Sequence, residues 1–71
     1  MKLSTRELDV LHLIAQGHSN KQISKILFLS VNTIDTYRRK LFLKFGVHNA
    51  ASLISRAYET KVLPLDKSHY D

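Results

Sequence analysis

One stretch of the sequence, residues 31–45, gathers the side chains best suited to recognising a polar partner. If it forms a helix, which turns by about 100° per residue, one side carries groups that hydrogen-bond to base edges: Asn32, Asp35, Thr36 and Arg39. Arginine can donate two hydrogen bonds to guanine, asparagine can bind adenine, and threonine can contact the thymine methyl group. We therefore predict that this face reads base pairs in the major groove of DNA, which admits an α-helix.

Asp35 is the one acidic residue on this face, and two interpretations of it remain open. It would repel a phosphate group, but it could accept a hydrogen bond from the N4 amino group of cytosine. It could equally serve as a partner for the positive end of the helix dipole, because it falls in the early turns of the helix.

A second group of side chains could contact the phosphate backbone, which orients a protein on DNA without reading sequence. The N-terminus of a helix favours an anion through its free N–H groups and its dipole, and several of these residues lie at the start of a predicted helix. The predicted phosphate-contacting residues are Lys21, Ser30, Thr33, Tyr37, Arg38, Lys40 and Lys44. The alternative is that the hydroxyl groups only cap helices and the basic groups are only solvated.

Four helices are predicted to position these side chains. Apolar residues recur at helical spacing, and two glycines with one proline leave little turn chemistry for a sheet. The predicted helices cover about residues 5–16, 20–27, 31–45 and 49–61. The predicted N-caps, the first two of them in capping boxes with Glu7 and Gln22, are Ser4, Ser19, Ser30 and Asn49.

The second and third predicted helices meet across a turn of about three residues, 28–30, which is typical of a helix-turn-helix motif. The residues that would form their apolar contact are Ile23, Leu27, Leu29, Ile34 and Tyr37. An ordinary corner between two helices has the same pattern, so the spacing alone leaves both readings open.

One side of the fourth predicted helix could pair two copies of the chain. Small residues there would let a partner related by twofold symmetry approach closely, with Tyr58 as an anchor. The predicted dimerisation residues are Ala51, Ser55 and Tyr58. The alternative is that Tyr58 covers the edge of the core.

The composition is that of one small basic domain: 71 residues, 11 basic and 6 acidic, with a net charge of +5. The excess of basic residues favours an anionic partner. The lack of cysteine excludes a disulfide scaffold, a thiolate zinc site and a cysteine nucleophile, and it favours a reducing cytosol. No apolar run is long enough to span a membrane, and no signal peptide is expected.

The sequence indicates no catalytic or cofactor chemistry. The four histidines lack metal-ligand spacing, no glycine-rich phosphate loop occurs, and nothing organises a serine–histidine–acid triad. We therefore expect no enzymatic activity, cofactor, metal or small-molecule ligand. The expected organisation is one domain at residues 1–63 and a polar tail at residues 64–71.

The chain from Leu3 to Leu63 resembles the LuxR-type helix-turn-helix domain, also called the GerE or NarL/FixJ type. The motifs that carry the resemblance, in order and without a gap, are LSTRE, LHLIAQG, SNKQIS, LSVNTI and KFGV. Ser24, Tyr37 and Phe45 depart from the family pattern at packing or edge positions. Asp35 stands where the family often has lysine or another polar residue, which affects the target sequence rather than the function.

This resemblance implies an all-α, four-helix domain without a wing that acts in bacterial transcription regulation. It implies that the third helix enters the major groove, with base-reading positions on Asp35, Thr36 and Arg39. The implied phosphate contacts fall on Lys21, Ser30, Thr33 and nearby basic residues.

The resemblance also implies a cytoplasmic homodimer that pairs through the fourth helix on a DNA operator with two half-sites. We also expect RNA polymerase as a further partner. The domain usually ends a longer regulator that begins with a phosphorylated receiver or an autoinducer-binding domain, although a minority of members stand alone.

Two other functions remain open for the sequence. One is a promoter-recognition module, like a region of a sigma factor, which would bind DNA only with RNA polymerase. The other is a helical protein-interaction adaptor whose basic surface is only solvated. If the chain is an adaptor, any binding to DNA should depend little on salt. If it neutralises phosphates, the logarithm of its DNA affinity should fall with the logarithm of salt concentration, with a slope of about −0.9 per contact.

Overall fold

A computed structural model describes residues 2–63, which form four α-helices and no strand. The helices are α1 (Thr5–Ala15), α2 (Asn20–Leu27), α3 (Val31–Phe45) and α4 (Ala50–Glu59). The prediction of an all-α, four-helix domain is therefore confirmed. The predicted polar tail, residues 64–71, lies outside the described residues.

Capping boxes begin the first two helices, as the sequence predicts. The Ser4 amide donates to Glu7 Oε1 at 2.8 Å, and the Glu7 amide donates to Ser4 Oγ at 3.1 Å. Ser19 and Gln22 make the same pair of hydrogen bonds at 2.8 and 3.2 Å. Each box satisfies backbone N–H groups that have no partner inside the helix, so the start of each helix is fixed locally.

Single side chains cap the other two helices. Ser30 Oγ accepts from the Thr33 amide at 3.1 Å, and Asn49 Oδ1 accepts from the Ser52 amide at 2.8 Å. At the other end of α3, Gly46 is in the left-handed region at φ 66°, which glycine adopts without steric cost. The predicted N-caps of α3 and α4 are therefore confirmed.

The predicted ends of α1 and α4 require correction. Gln16 is the C-cap of α1 rather than its last residue, because Gly17, at φ 90°, turns the chain out of the helix. At α4, Asn49 is the cap and the helix ends at Glu59 instead of near Lys61. Lys61 is left-handed, and the Leu63 amide donates back to the Ala57 carbonyl at 3.1 Å, so the chain reverses and buries Leu63.

Helix α3 lies at the centre of the domain and contacts each of the other three helices. It buries the side formed by Ile34, Leu41 and Phe45. The full set of buried apolar residues is Val10, Leu11, Ile14, Ile23, Ile34, Leu41, Phe45, Leu53, Ala57 and Leu63. Burying one leucine or isoleucine contributes about 1.5–3 kcal/mol, so the buried side of α3 contributes substantially to the stability of this fold.

Helices α2 and α3 pack together across the turn at residues 28–30, which confirms the apolar contact predicted there. Ile23 and Ile34 are fully buried, and Leu27, Leu29 and Tyr37 pack partly buried against the core. Phe28 makes the turn in the left-handed region at φ 57°, with the Leu29 amide donating to the Ser24 carbonyl at 3.0 Å. Its side chain is 93% exposed, so the turn holds a bulky residue in a strained conformation without burying it.

We expect Phe28→Asn to raise the free energy of unfolding by up to about 1 kcal/mol, because asparagine adopts the left-handed conformation at a lower cost than phenylalanine. Urea denaturation followed by circular dichroism measures this change. Phe28→Leu keeps the strained geometry and should stay within about 0.5 kcal/mol of the parent. A loss of stability in Phe28→Asn would mean that the phenyl ring packs against the domain.

Candidate nucleic-acid interface

The exposed face of α3 carries the four side chains predicted to read bases. Asn32, Thr36 and Arg39 are exposed and Asp35 is half-buried, on the side of the helix away from buried Ile34. With a rise of 1.5 Å per residue, the four lie within about 10 Å of one another along the helix axis, which is about two turns. The structure therefore brings all four together on one accessible surface.

Two of the four form an ion pair with each other. Arg39 Nη2 lies 2.8 Å from Asp35 Oδ2, one helical turn apart. Side chains four residues apart are neighbours on a helix, so the sequence contained the signal for this pair. An exposed pair of this kind contributes about 0.3–0.5 kcal/mol, which is too little to matter for the fold.

Thr36 is tied to the backbone of its own helix. Its hydroxyl donates to the Asn32 carbonyl at 3.1 Å. Since the hydroxyl proton is already used, the methyl group and the oxygen lone pairs are what Thr36 can offer to a base.

The start of α3 forms a small hydroxyl cluster. Ser30 Oγ lies 2.9 Å from Thr33 Oγ1 and also caps the helix. Free N–H groups and the positive dipole end occur at such a terminus. Lys21 is exposed in the first turn of α2, and within residues 2–63 it makes no ion pair.

Two basic side chains of α3 lie over aromatic rings. The Arg38 guanidinium is 5.6 Å from the centre of the Phe42 ring, and Lys40 Nζ is 5.9 Å from the centre of the Tyr37 ring. Cation–π contacts of this length restrain a long basic side chain while leaving its charge available. Arg38 is partly buried, whereas Lys40 is exposed.

Lys44 joins two helices instead of standing free. Its Nζ lies 2.8 Å from Glu7 Oε1 and 3.2 Å from the Lys2 carbonyl oxygen. The Glu7 side chain is only 5% exposed. The hydrogen bond from Lys44, followed by that from the Ser4 amide, lowers the pKa of Glu7 despite its burial.

Sequence reasoning missed this ion pair. It assigned Glu7 to the capping box and Lys44 to phosphate contacts, and no local spacing links two residues 37 positions apart. The phosphate contact stays a prediction, with the qualification that the Lys44 ammonium group already has two partners.

The predicted dimerisation residues share one exposed side of α4. Ala51, Ser55 and Tyr58 are all exposed, away from the buried Leu53 and Ala57. Ala51 and Ser55 also line a shallow groove of about 520 Å³ that continues to Gly46 and Val47, at the end of α3; Tyr58 does not line it.

Within residues 2–63, no group of three or more histidine or acidic side chains is arranged to hold a metal ion. No helix of the same residues has the length and apolar character needed to cross a membrane.

The family of this chain follows from a direct comparison of its sequence. Residues 1–57 match the family described as bacterial regulatory proteins, luxR family. The chain belongs to this family. The LuxR-type resemblance expected from the motifs is thereby confirmed, and the four helices are those of a LuxR-type helix-turn-helix DNA-binding domain.

Individual relatives agree with the family. The chain is 39% identical over 61 residues to the oxygen regulatory protein NreC of Staphylococcus aureus. The aligned residues are 86% of this chain and 28% of NreC. VqmA of Vibrio cholerae, described as a LuxR-type receptor, superposes with a TM-score of 0.81 at 34% identity, over 83% of this chain and 27% of VqmA. A VqmA–ligand–DNA complex matches with a TM-score of 0.80 at 33% identity, over 84% of this chain and 26% of that one. This chain therefore spans little more than a quarter of the length of these relatives.

The Glu7–Lys44 pair gives the domain an acid-sensitive contact. Because the pKa of Glu7 is lower in the folded chain than its ordinary value of 4.5, the folded state binds fewer protons than the unfolded state. The stabilisation is therefore complete well above pH 4.5 and is lost as the pH falls through the folded pKa. We expect the free energy of unfolding of the parent chain, measured by urea denaturation at several pH values, to fall as the pH is lowered below 4.5. The free energy of unfolding of Glu7→Gln should depend less on pH over the same range.

Two variants separate the charge of Glu7 from its capping role. Glu7→Gln keeps the capping box, since Gln22 performs the same role in α2, and leaves Lys44 free to reach water. Lys44→Met leaves a buried carboxylate without its cation and should cost more, about 1–3 kcal/mol at pH 7. Equal losses from the two variants, or none from Lys44→Met, would contradict this account.

Proposed function

We propose that this domain binds double-stranded DNA sequence-specifically, with α3 in the major groove. The observation that carries the proposal is the exposed face of α3, where Asn32, Asp35, Thr36 and Arg39 lie together opposite the buried side of the helix. Arg39 is the strongest candidate for base recognition, because its side chain is 77% exposed and arginine pairs with guanine through two hydrogen bonds.

Phosphate contacts would hold α3 in the groove. The hydroxyl cluster at the start of α3 and the exposed Lys21 at the start of α2 would each contact a phosphate, since helix N-termini favour anions. Lys40 and Tyr37, which lie against each other, and Arg38 flank the reading face. Lys44 belongs to the same predicted set, but its ion pair with Glu7 leads us to expect that its substitution affects stability more than DNA affinity.

A homodimer through α4 would place two copies of α3 on one operator. Support for this comes from the exposed row of Ala51, Ser55 and Tyr58, which has two small residues beside an aromatic one. A twofold interface uses the same patch on both subunits, so the operator should contain two related half-sites.

The proposal also concerns the regulator to which this domain would belong. NreC is an oxygen regulatory protein and VqmA is a LuxR-type receptor, and both are several times longer than the part that matches this chain. We infer that this domain acts in bacterial transcription regulation in the cytoplasm, as the effector part of a larger response regulator or as a stand-alone regulator. RNA polymerase would be its further partner at a promoter. The family match favours this function over a sigma-like module or a protein-interaction adaptor.

Base and phosphate contacts should respond differently to substitution. We expect Arg39→Ala to cost about 1–3 kcal/mol and to relax the preference at one base pair, because it removes a base contact. Lys21→Ala should weaken binding to all duplexes alike and reduce the slope of log affinity against log salt by about one contact. Fluorescence anisotropy with matched and unrelated duplexes at several salt concentrations measures both effects. If Arg39→Ala weakened every duplex equally, Arg39 would be a phosphate contact.

Pairing through α4 determines how many chains bind one duplex. On a duplex with two half-sites, sedimentation should give two chains per duplex, and Tyr58→Ala should shift binding towards one chain per duplex without changing affinity for a single half-site. His12→Ala, at an exposed position of α1, serves as the control. A strict one-to-one complex of the parent chain on the two-site duplex would rule out pairing.

A further inference from the structure

We propose that Asp35 is a positioning residue: it orients Arg39 and thereby sets how strictly Arg39 selects guanine, instead of contacting a base itself. The proposal rests on the DNA-binding function proposed above. Its basis is the 2.8 Å contact between Arg39 Nη2 and Asp35 Oδ2 in the middle of the reading face.

The neighbourhood of Arg39 leaves it one acidic partner on its own helix. Asp35 is the only acid of α3, whereas Arg38 and Lys40 stand on either side of Arg39 in the sequence. Both of those basic side chains are held over aromatic rings. Asp35 is therefore the acid of α3 that Arg39 contacts.

The guanidinium group can serve two partners at once. It carries five N–H donors in a planar fork, and the contact with Asp35 involves one terminal nitrogen. The remaining donors are free to face guanine O6 and N7, which arginine recognises in a bidentate manner. Since DNA would displace water from this surface and lower the local dielectric, the attraction between the two charges would strengthen in the complex.

Restraint of Arg39 affects selectivity because an unrestrained arginine has an alternative partner on DNA. A free arginine can swing to the nearest phosphate, and this contact is equally good on every sequence. When guanine is replaced by another base, a tethered Arg39 cannot recover its hydrogen bonds elsewhere, so the replacement costs more. Asp35 therefore raises specificity by penalising wrong sequences.

The same carboxylate should weaken binding to DNA in general. A negative charge on the binding face repels the phosphate backbone whatever the sequence. An acid that only stabilised the helix dipole would belong in the first turn, and the first turn of α3 contains no acid. Lower general affinity combined with higher selectivity is thus the signature of a positioning role.

The chain offers a matched control for this signature. Asp9 pairs with Arg6 on α1 at 3.4 Å, and its side chain is 43% exposed, compared with 44% for Asp35. Asp9→Asn and Asp35→Asn make the same change in net charge and remove one exposed ion pair each. Only Asp35→Asn alters the reading face.

The experiment measures anisotropy for three duplexes: an operator selected from a randomised pool, the same operator with the base pair of Arg39 replaced, and an unrelated sequence. We expect Asp35→Asn to bind the unrelated duplex more tightly than Asp9→Asn does. We expect its discrimination at the Arg39 base pair to fall by about fivefold or more, a substantial part of what a bidentate contact provides. Asp35→Glu, which can still pair with Arg39, should restore much of the discrimination. Thermal unfolding checks that all variants fold.

A double-mutant comparison decides between positioning and direct reading. If Asp35 acts through Arg39, Asp35→Asn changes no discrimination in the Arg39→Ala background. Loss of selectivity at a different base pair, unaffected by Arg39→Ala, would mean that Asp35 reads cytosine and would overturn the proposal. The proposal would also be overturned if the parent chain binds specifically but Asp35→Asn and Asp9→Asn show the same affinity and the same discrimination. Failure of the parent chain to bind any duplex would instead reject the DNA-binding function itself.

Discussion

Burial of one side of α3 is the constraint on which the rest of the structure depends. Ile34, Leu41 and Phe45 fill the centre of the domain and set the rotation of α3 about its own axis. That rotation leaves Asn32, Thr36 and Arg39 on the outside. Core packing and the exposed face proposed to read DNA are therefore two consequences of one hydrophobic pattern, and a rotation of α3 would disturb both.

Polar contacts fix what packing alone leaves free. The N-caps set where each helix begins, and the Glu7–Lys44 pair ties the start of α1 to the end of α3. In a domain this small the core is modest, and the hydrogen bond from the partly exposed Lys44 to the buried Glu7 carboxylate adds a second link between α1 and α3. It also uses a basic residue that would otherwise add to the charge offered to a phosphate backbone.

The helices could be predicted from the sequence because their signals are local. Capping residues, the spacing of apolar positions and the two glycines are short-range features, and they gave α2 and α3 with the bounds that the structure has. The end of α4 was predicted too late because burial of Leu63 turns the chain back earlier. That effect depends on the assembled core, which local spacing does not contain.

In the candidate site, too, contacts within one helix could be predicted from the sequence, whereas contacts between helices could not. The exposed face of α3 that is proposed to read DNA follows from helical geometry, and the Asp35–Arg39 pair could have been inferred from a spacing of four residues. The contact between Glu7 and Lys44 could not, since it joins residues far apart in the sequence. The role of Asp35 was open in the sequence because its charge and position are compatible with accepting a hydrogen bond from cytosine, with stabilising the helix dipole and with pairing with Arg39. The observed distance favours pairing.

The central claim is that the exposed face of α3 reads DNA sequence. Selection of bound sequences from a randomised duplex pool, at two salt concentrations, tests this claim most directly. We predict enrichment of a short motif in paired half-sites, with binding that weakens as salt rises. Recovery of a pool without any enriched motif would contradict the claim.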